Sequence, residues 1–426
     1  MKGEPGDRRV VVTGMGIISP AGNDVRTFWE NLLEGRSGIS KVTKFDPSAY
    51  PTKVAAEVKG FDPTDYLDKR EIRRLDSHQR YALAATQEAL KDSRLEVSKL
   101  DPWAVGVIIG TGIGGSSSFE EVVIVNFTKG PDKVSPFSLP KTVPDMVAGL
   151  IAMRYSLKGI NFVTSSACAS SSHAMAESFW AIKRGEAEVV FTGGAEDVIC
   201  PVGWANFCAS RAMSTGFNDD PPKSSRPFDK KRDGFVMGEG AAILILEELK
   251  HALSRDAPIH GEILGVGNSA DAYHITAPSP DGEGAAKAME FALKSAGLKP
   301  EEVDYINAHG TATPLGDISE TLGIKTVFGE HARILAINST KSMIGHPLGA
   351  AGAMEMVAVL KSIETGWLHP TLNQQVPDPE CDLDYVPNVK RQQKVEVALS
   401  NSFGFGGHNV SLAVSRYRRG RLSHPR

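Results

Sequence analysis

Short β-branched runs alternate with helix-length segments almost from end to end of this chain, and that rhythm restricts the fold more than any other feature. Strands are expected over residues 10–13, 105–109, 160–164, 188–192 and 241–246, and again over 259–266, 303–307, 334–338, 395–400 and 409–414. Helices are expected between them, over 76–92, 145–155, 169–183, 284–296, 319–328 and 349–363. Within 76–92, Tyr81, Ala82, Ala85 and Ala89 share one face at helical spacing. The second half repeats the rhythm of the first, so the chain reads as two similar α/β units, residues 1–255 and 256–426. The likeness is one of pattern, without a residue-level repeat. The polar stretch 218–234, with its Pro-Pro and Lys-Lys-Arg-Asp-Gly, reads as a loop over the surface or a site entrance.

Composition narrows the function classes. Hydrophobic residues make up 41% of the 426 and charged residues 23%, enough apolar surface for a sizeable core. The formal charge of −4 shows no basic excess, so a nucleic-acid partner is not expected. The four cysteines, Cys168, Cys200, Cys208 and Cys381, form no C-x-x-C pair and no disulfide scaffold, which fits a reducing, cytoplasmic setting. The amino end lacks the apolar core of a secretory signal, and no uncharged apolar stretch approaches membrane-spanning length, so neither export nor a membrane span is expected. The tail Arg416-Tyr-Arg-Arg-Gly-Arg reads as a frayed end.

The most informative chemistry lies in Val163-Thr-Ser-Ser-Ala-Cys168-Ala-Ser-Ser-Ser. A strand ends, and small residues lead into a helix whose first turn would hold Cys168. Unpaired amides and the positive end of the helix dipole there lower a thiol pKa and offer an oxyanion site. The plainer alternative is a structural cysteine among Ala and Ser. Two histidines stand in matching settings further on, Asn307-Ala-His309-Gly-Thr and Ile344-Gly-His346-Pro, each just past a strand and beside glycine. Open α/β folds place ligands at that edge. Two imidazoles on one side of a substrate suit donors converging on a carbonyl oxygen that becomes an enolate.

Three competing readings are weaker. Zinc lacks both H-E-x-x-H and paired C-x-x-C. A thiol protease uses a single histidine oriented by Asn or Asp. Gly110-Thr-Gly-Ile-Gly-Gly115 matches the dinucleotide pattern G-x-G-x-x-G, but the residue expected on the ribose has no convincing candidate, because Asp132 falls in a turn. A glycine turn lining a substrate tunnel fits better. Asn401-Ser-Phe-Gly-Phe405-Gly-Gly407 reads as a functional loop with a mobile aromatic ring. Arg70, Arg73 and Arg74, at i, i+3, i+4 spacing, would form one cationic helix face, either solvated surface or a dock for an acidic partner.

The sequence resembles the elongating type II β-ketoacyl-acyl carrier protein synthases, condensing enzymes of the thiolase superfamily. The matching pieces run in order: Arg9-Val-Val-Val-Thr-Gly-Met-Gly16, Ala167-Cys168-Ala-Ser-Ser, Asp233-Gly-Phe-Val-Met-Gly-Glu-Gly240, His309-Gly-Thr-Ala-Thr313 with Asp317 and Glu320, Lys341-Ser-Met-Ile-Gly-His346, and Asn401-Ser-Phe-Gly-Phe-Gly-Gly407. The resemblance implies a five-layered αβαβα fold, usually homodimeric, with Cys168 as nucleophile and His309 and His346 holding a malonyl thioester. It implies that Lys341 supports the first histidine and pairs with Glu320, with Asp317 nearby. Phe405 corresponds to a gating phenylalanine whose amide joins that of Cys168 in the oxyanion hole. Thr311 and Thr313 match residues that bind the phosphopantetheine arm, Ile113 the acyl-pocket gate, and Arg70, Arg73 and Arg74 the carrier-protein docking face. No cofactor of the chain's own is implied, beyond a structural monovalent cation as an option; the phosphopantetheine belongs to the acyl carrier protein. The implied reaction is decarboxylating condensation in fatty acid elongation. A polyketide-type ketosynthase and a non-catalytic chain-length-factor-like subunit are the alternatives; the latter replaces the cysteine that this chain keeps. His408 departs from the threonine common at that place.

Overall fold

The computed structural model describes residues 8–418, so most of the basic tail, from residue 419 on, lies outside the described residues. Arg418, the last residue described, pairs with Glu396 at 2.5 Å. Ten strands carry the fold: β1 (Val10–Ile18), β2 (Val105–Gly110), β3 (Asn161–Thr164), β4 (Val189–Glu196), β5 (Gly240–Glu248), β6 (Gly261–Ala270), β7 (Tyr305–Asn307), β8 (Ala336–Asn338), β9 (Val397–Gly404) and β10 (His408–Ser415). Every expected strand is present. Their spatial order is β8-β7-β9-β10-β6-β1-β5-β4-β2-β3. Each half therefore repeats one order, the third strand beside the second, then the fourth, fifth and first. In each half the first three of these neighbours run parallel and the last two pairings are antiparallel. The halves meet where β1 pairs with β6 over three residue pairs, Val10 to Val12 against Ile263 to Gly261.

Six helices complete five layers: α1 (Ser77–Ser93), α2 (Met146–Tyr155), α3 (Ser170–Arg184), α4 (Glu283–Ala296), α5 (Pro314–Phe328) and α6 (Ala351–Thr365). Alternation along the strands explains how both sheet faces are covered. Val105, Val107 and Ile109 of β2 and Ile243 and Ile245 of β5 face α1 and α2. Ile108, Ala242, Leu244 and Leu246 face the opposite way, into a central core shared with α3 and α6. Ile306, Leu399 and Ala413 pack outward against α4 and α5. Both faces being buried, the strands read as nearly continuous apolar runs.

Local departures have local causes. Helix α5 begins at Pro314, five residues before the expected 319, because proline suits the first helical position and Thr313 precedes it in extended conformation. Helices at Val25–Leu33, Ser116–Lys129 and Pro201–Ala209 were not expected. The loop 218–234 is partly interior: Ser224, Ser225, Arg226 and Asp229 are buried, and Asp229 accepts the N–H groups of Gln375 and Val376. Polar side chains bonding to backbone let this loop leave the surface.

Candidate active site

Cys168 stands between β3 and α3, where the chain turns sharply. Ala167 holds a left-handed φ of 51°, unusual for a residue with a side chain, and Ser170 caps the turn by donating its hydroxyl to the Ala167 carbonyl at 2.6 Å. The turn lifts Cys168 into a cleft that it shares with His309, His346, Phe403, Phe405 and Leu348. The backbone of Gly404 closes on this turn: a Cβ there would stand 2.7 Å from the Ser166 carbonyl oxygen and 3.1 Å from the Cys168 nitrogen. The N–H groups of Phe405 and of Cys168 itself reach the sulfur. Burial nevertheless pushes the thiol up to about 12, against the opposing field of Lys341 and these two amides. The lowering expected from the helix start is thus outweighed by desolvation at the floor of the cleft.

The two imidazoles face each other edge to face, with ring centroids 5.3 Å apart. His309 follows β7, and its backbone N–H, with that of Gly310, is held by the Glu320 carboxylate at 2.9 and 2.8 Å. His346 ends the loop after the short helix Lys341–Ile344; its N–H donates to the Val236 carbonyl, and its own carbonyl accepts from Gly238 at 2.9 Å. The segment 233–240 is therefore a cradle for His346. Burial holds both imidazoles well below their usual range, and the Lys341 ammonium lowers them further, so both are neutral at pH 7. Nδ1 of His309 and both ring nitrogens of His346 are buried without a protein partner.

Lys341 departs from expectation. Its ammonium pairs with Glu355 of α6, both groups buried, while Glu320 has its oxygens engaged by the amides of His309 and Gly310 and by Asn401. Glu320 feels Lys341 only through space. Burial pushes the Glu355 carboxyl up, against the pull of Lys341. A single acid inside the apolar run Ala-Met-Glu355-Met-Val was the available signal, since such a charge must find a partner. Asp317 lies away from the cleft: it accepts the N–H groups of Phe228 and Ala312 and faces Arg232 at 3.7 Å.

Thr311 and Thr313 line the cleft, their hydroxyls 3.0 Å apart. Arg232 fixes this loop by donating to the carbonyls of Thr313 and Pro314. Ile113 lies outside the cleft of Cys168, in a neighbouring apolar pocket with Phe119, Val198 and Val202; Phe207 and Phe405 line both. The glycine turn that carries Ile113 cannot cradle a phosphate, because its amides at 112, 113 and 114 all donate to the buried carboxylate of Glu196. Arg70, Arg73 and Arg74 are exposed, but not on one helix face. The helix there is only Lys69–Ile72, and Arg74 beyond it lies 4.4 Å from the Phe137 ring. His408 is exposed beside Gly406 and does not line the cleft.

Among the described residues no group of three or more His, Cys, Asp or Glu could hold a metal, and all four cysteines are unpaired. No described helix is long and apolar enough to cross a membrane.

Comparison with known proteins agrees with this geometry. The family model for the N-terminal domain of β-ketoacyl synthases matches residues 7–252, and that for the C-terminal domain matches 260–375. The chain is 50% identical to a 3-oxoacyl-[acyl-carrier-protein] synthase 2 of Synechocystis sp. over 96% of its length and 99% of the relative's. It is 47% identical to the enzymes of that name from Staphylococcus aureus and Coxiella burnetii, at the same coverage. A solved β-ketoacyl synthase from Burkholderia phymatum superposes with a TM-score of 0.90 at 36% identity, covering 96% of this chain and all of that one. A ketosynthase structure in complex with a type II PKS acyl-carrier protein superposes with the same score at 35% identity, over 97% of this chain and all of that one. With the five layers, the cysteine turn and the paired histidines, these likenesses make the chain a member of the β-ketoacyl synthase family, a KAS II-like condensing enzyme of the thiolase superfamily.

Proposed function

We propose that this acyltransferase catalyses the decarboxylating Claisen condensation of an acyl group, carried on Cys168, with malonyl-acyl carrier protein in fatty acid chain elongation. The observation that carries the reading is the meeting of Cys168 with two neutral imidazoles in one cleft. The sulfur of Cys168 attacks the acyl thioester, and the N–H groups of Cys168 and Phe405 hold the tetrahedral oxyanion. The carbon–sulfur bond to the pantetheine breaks, and the cysteine proton ends on the departing pantetheine sulfur. Malonyl-carrier protein then enters past Thr311 and Thr313. Neutral His309 and His346 each donate an N–H to its thioester oxygen, so that loss of carbon dioxide leaves an enolate. That carbon attacks acyl-Cys168, and the released thiolate takes a proton from solvent.

The carrier docks, in this reading, on Arg70, Arg73 and Arg74, and Ile113 limits the acyl chain from the pocket behind Phe405. The working form is a homodimer. Among the described residues β3 pairs with β2 alone, so its other edge is open, and the helix Ser116–Lys129 exposes Phe119, Val123, Ile124 and Phe127. An open strand edge and an apolar helix face are each features that a second copy of the chain would cover. Intact-mass measurement after incubation with acyl-carrier protein tests the first half-reaction: the wild type gains one acyl group and Cys168→Ala gains none. Carbon dioxide release from malonyl-carrier protein tests the second, and should fall in His309→Ala and His346→Ala while acylation persists. Acyl transfer to Cys168→Ala would overturn the assignment. Turnover with acyl carriers of graded length separates fatty acid elongation from a polyketide role.

A further inference from the structure

Glu196 ends β4 and is fully buried, yet its two oxygens receive five donors from two separate loops. Oε1 accepts the N–H groups of Ile113 at 3.2 Å and Gly114 at 3.1 Å and the Thr111 hydroxyl at 3.1 Å. Oε2 accepts the N–H groups of Gly112 at 2.5 Å and Gly349 at 3.0 Å. The first loop carries Ile113 into the apolar pocket behind Phe405. The second, His346-Pro-Leu348-Gly349, brings His346 and Leu348 into the cleft of Cys168. The loops meet at the carboxylate so closely that a Cβ on Gly349 would stand 2.2 Å from the Gly112 nitrogen and 2.6 Å from Oε2. Ser165, three residues before Cys168, joins them by donating its hydroxyl to the Gly112 carbonyl at 3.1 Å.

The structure assigns Glu196 as a positioning residue that fixes the acyl-pocket wall at Ile113 against the loop of His346, so that one carboxylate sets both acyl-chain preference and the placing of the decarboxylation histidine. This rests on the condensation reading above. Both carboxylate oxygens are needed, because each faces N–H donors from a different direction. Glutamine offers one oxygen and turns an NH₂ toward the other donors, so the two loops lose their common anchor.

The test compares acyl transfer to Cys168 from short-chain and long-chain acyl-carrier protein, together with the malonyl kcat and KM, in the full-length enzyme. Glu196→Gln should change the long-to-short ratio of kcat/KM by about tenfold and lower the malonyl kcat with KM nearly unchanged. Thr111→Val removes one donor with little change of shape, and should move the ratio in the same direction by about threefold. Combined with Ile113→Ala, either change should be non-additive in the ratio. A purely structural role lowers all chain lengths alike, so an unchanged ratio in Thr111→Val, or additivity with Ile113→Ala, overturns the assignment. Should Glu196→Gln fail to fold, the Thr111→Val ratio decides alone. A wild type that takes no acyl group on Cys168 overturns the condensation reading itself, and this assignment with it.

Discussion

The ammonium of Lys341 acts on the site chiefly through its field. It is buried against Glu355, and it lowers both imidazoles, whose neutral forms are the ones able to offer one N–H and one lone pair each. For a base whose neutral form is active, activity falls as pH drops through its pKa, so a group that lowers that pKa extends activity toward acid. Lys341→Met should therefore move the acid limb of the kcat–pH profile to higher pH. It also leaves Glu355 buried without its cation, and the double variant Lys341→Met, Glu355→Gln should recover much of the lost melting temperature without restoring the limb. An acid limb that stays in place in both variants would remove Lys341 from the electrostatics of the site. The residues that carry this chemistry were unequally legible in the sequence. Cys168, His309 and His346 announced themselves by strand-end settings among small residues. Glu355 and Glu196 did not, because a single acid in an apolar or glycine-rich run shows only that a partner exists, and the partner lies more than ten residues away in Lys341 or in two distant loops.

At the scale of elements, the ten strands and six main helices were readable because both sheet faces are covered, which makes most strands nearly continuous apolar runs. The arginine cluster was misread for a reason also present in the sequence. Asp68 and Asp76 each begin a helix with a capping box, closed by Glu71 and Gln79, so two starts eight residues apart leave no room for a long helix carrying Arg70, Arg73 and Arg74. Arg74 is held over Phe137, so Arg70 and Arg73 are the two to change in testing the proposed dock. Reversing those two to Glu should raise KM for carrier-bound substrate by about tenfold and leave a small acyl thioester unaffected; equal effects on both would dismiss the dock. The turn at Cys168 makes a sharper prediction. Gly404→Ala drives a methyl group against the Ser166 carbonyl and the Cys168 nitrogen, displacing the Cys168 sulfur from the amides that reach it. Acyl transfer should fall by about 100-fold and the melting temperature should fall with it, because the methyl group meets backbone and not a flexible side chain; a normal acylation rate would show that the glycine loop does not set the position of Cys168.

At the scale of the whole molecule, the two halves share, among the described residues, a β1–β6 ladder of three residue pairs, so their union depends on side chains as well. His260, immediately before β6, stands 2.8 Å from Asp92 of α1 on one side and 2.8 Å from Glu364 of α6 on the other. It thereby ties the outer helix of the first half to the central layer. Burial opposes its charge, but the paired carboxylates of Asp92 and Glu364 prevail and bring His260 up to about 9. Burial likewise opposes the Glu364 charge, and the bonds from His260 and Lys361 bring that carboxyl down to about 2. The histidine contribution is fully present below about pH 6.5, its unfolded value, and is lost as pH rises through 9; that of Glu364 is present above about pH 4.5 and lost as pH falls through 2. With both carboxylates about a third exposed, solvent screening reduces the histidine contribution to about 2 kcal/mol. His260→Gln should then melt about 2 °C below the wild type at pH 6.5, and the gap should close by pH 10 because the wild type loses the ion pair while the variant has none to lose. Melting curves of the two proteins that stay parallel from pH 6 to 10 would show that His260 bears no charge-dependent share of the contact between the halves.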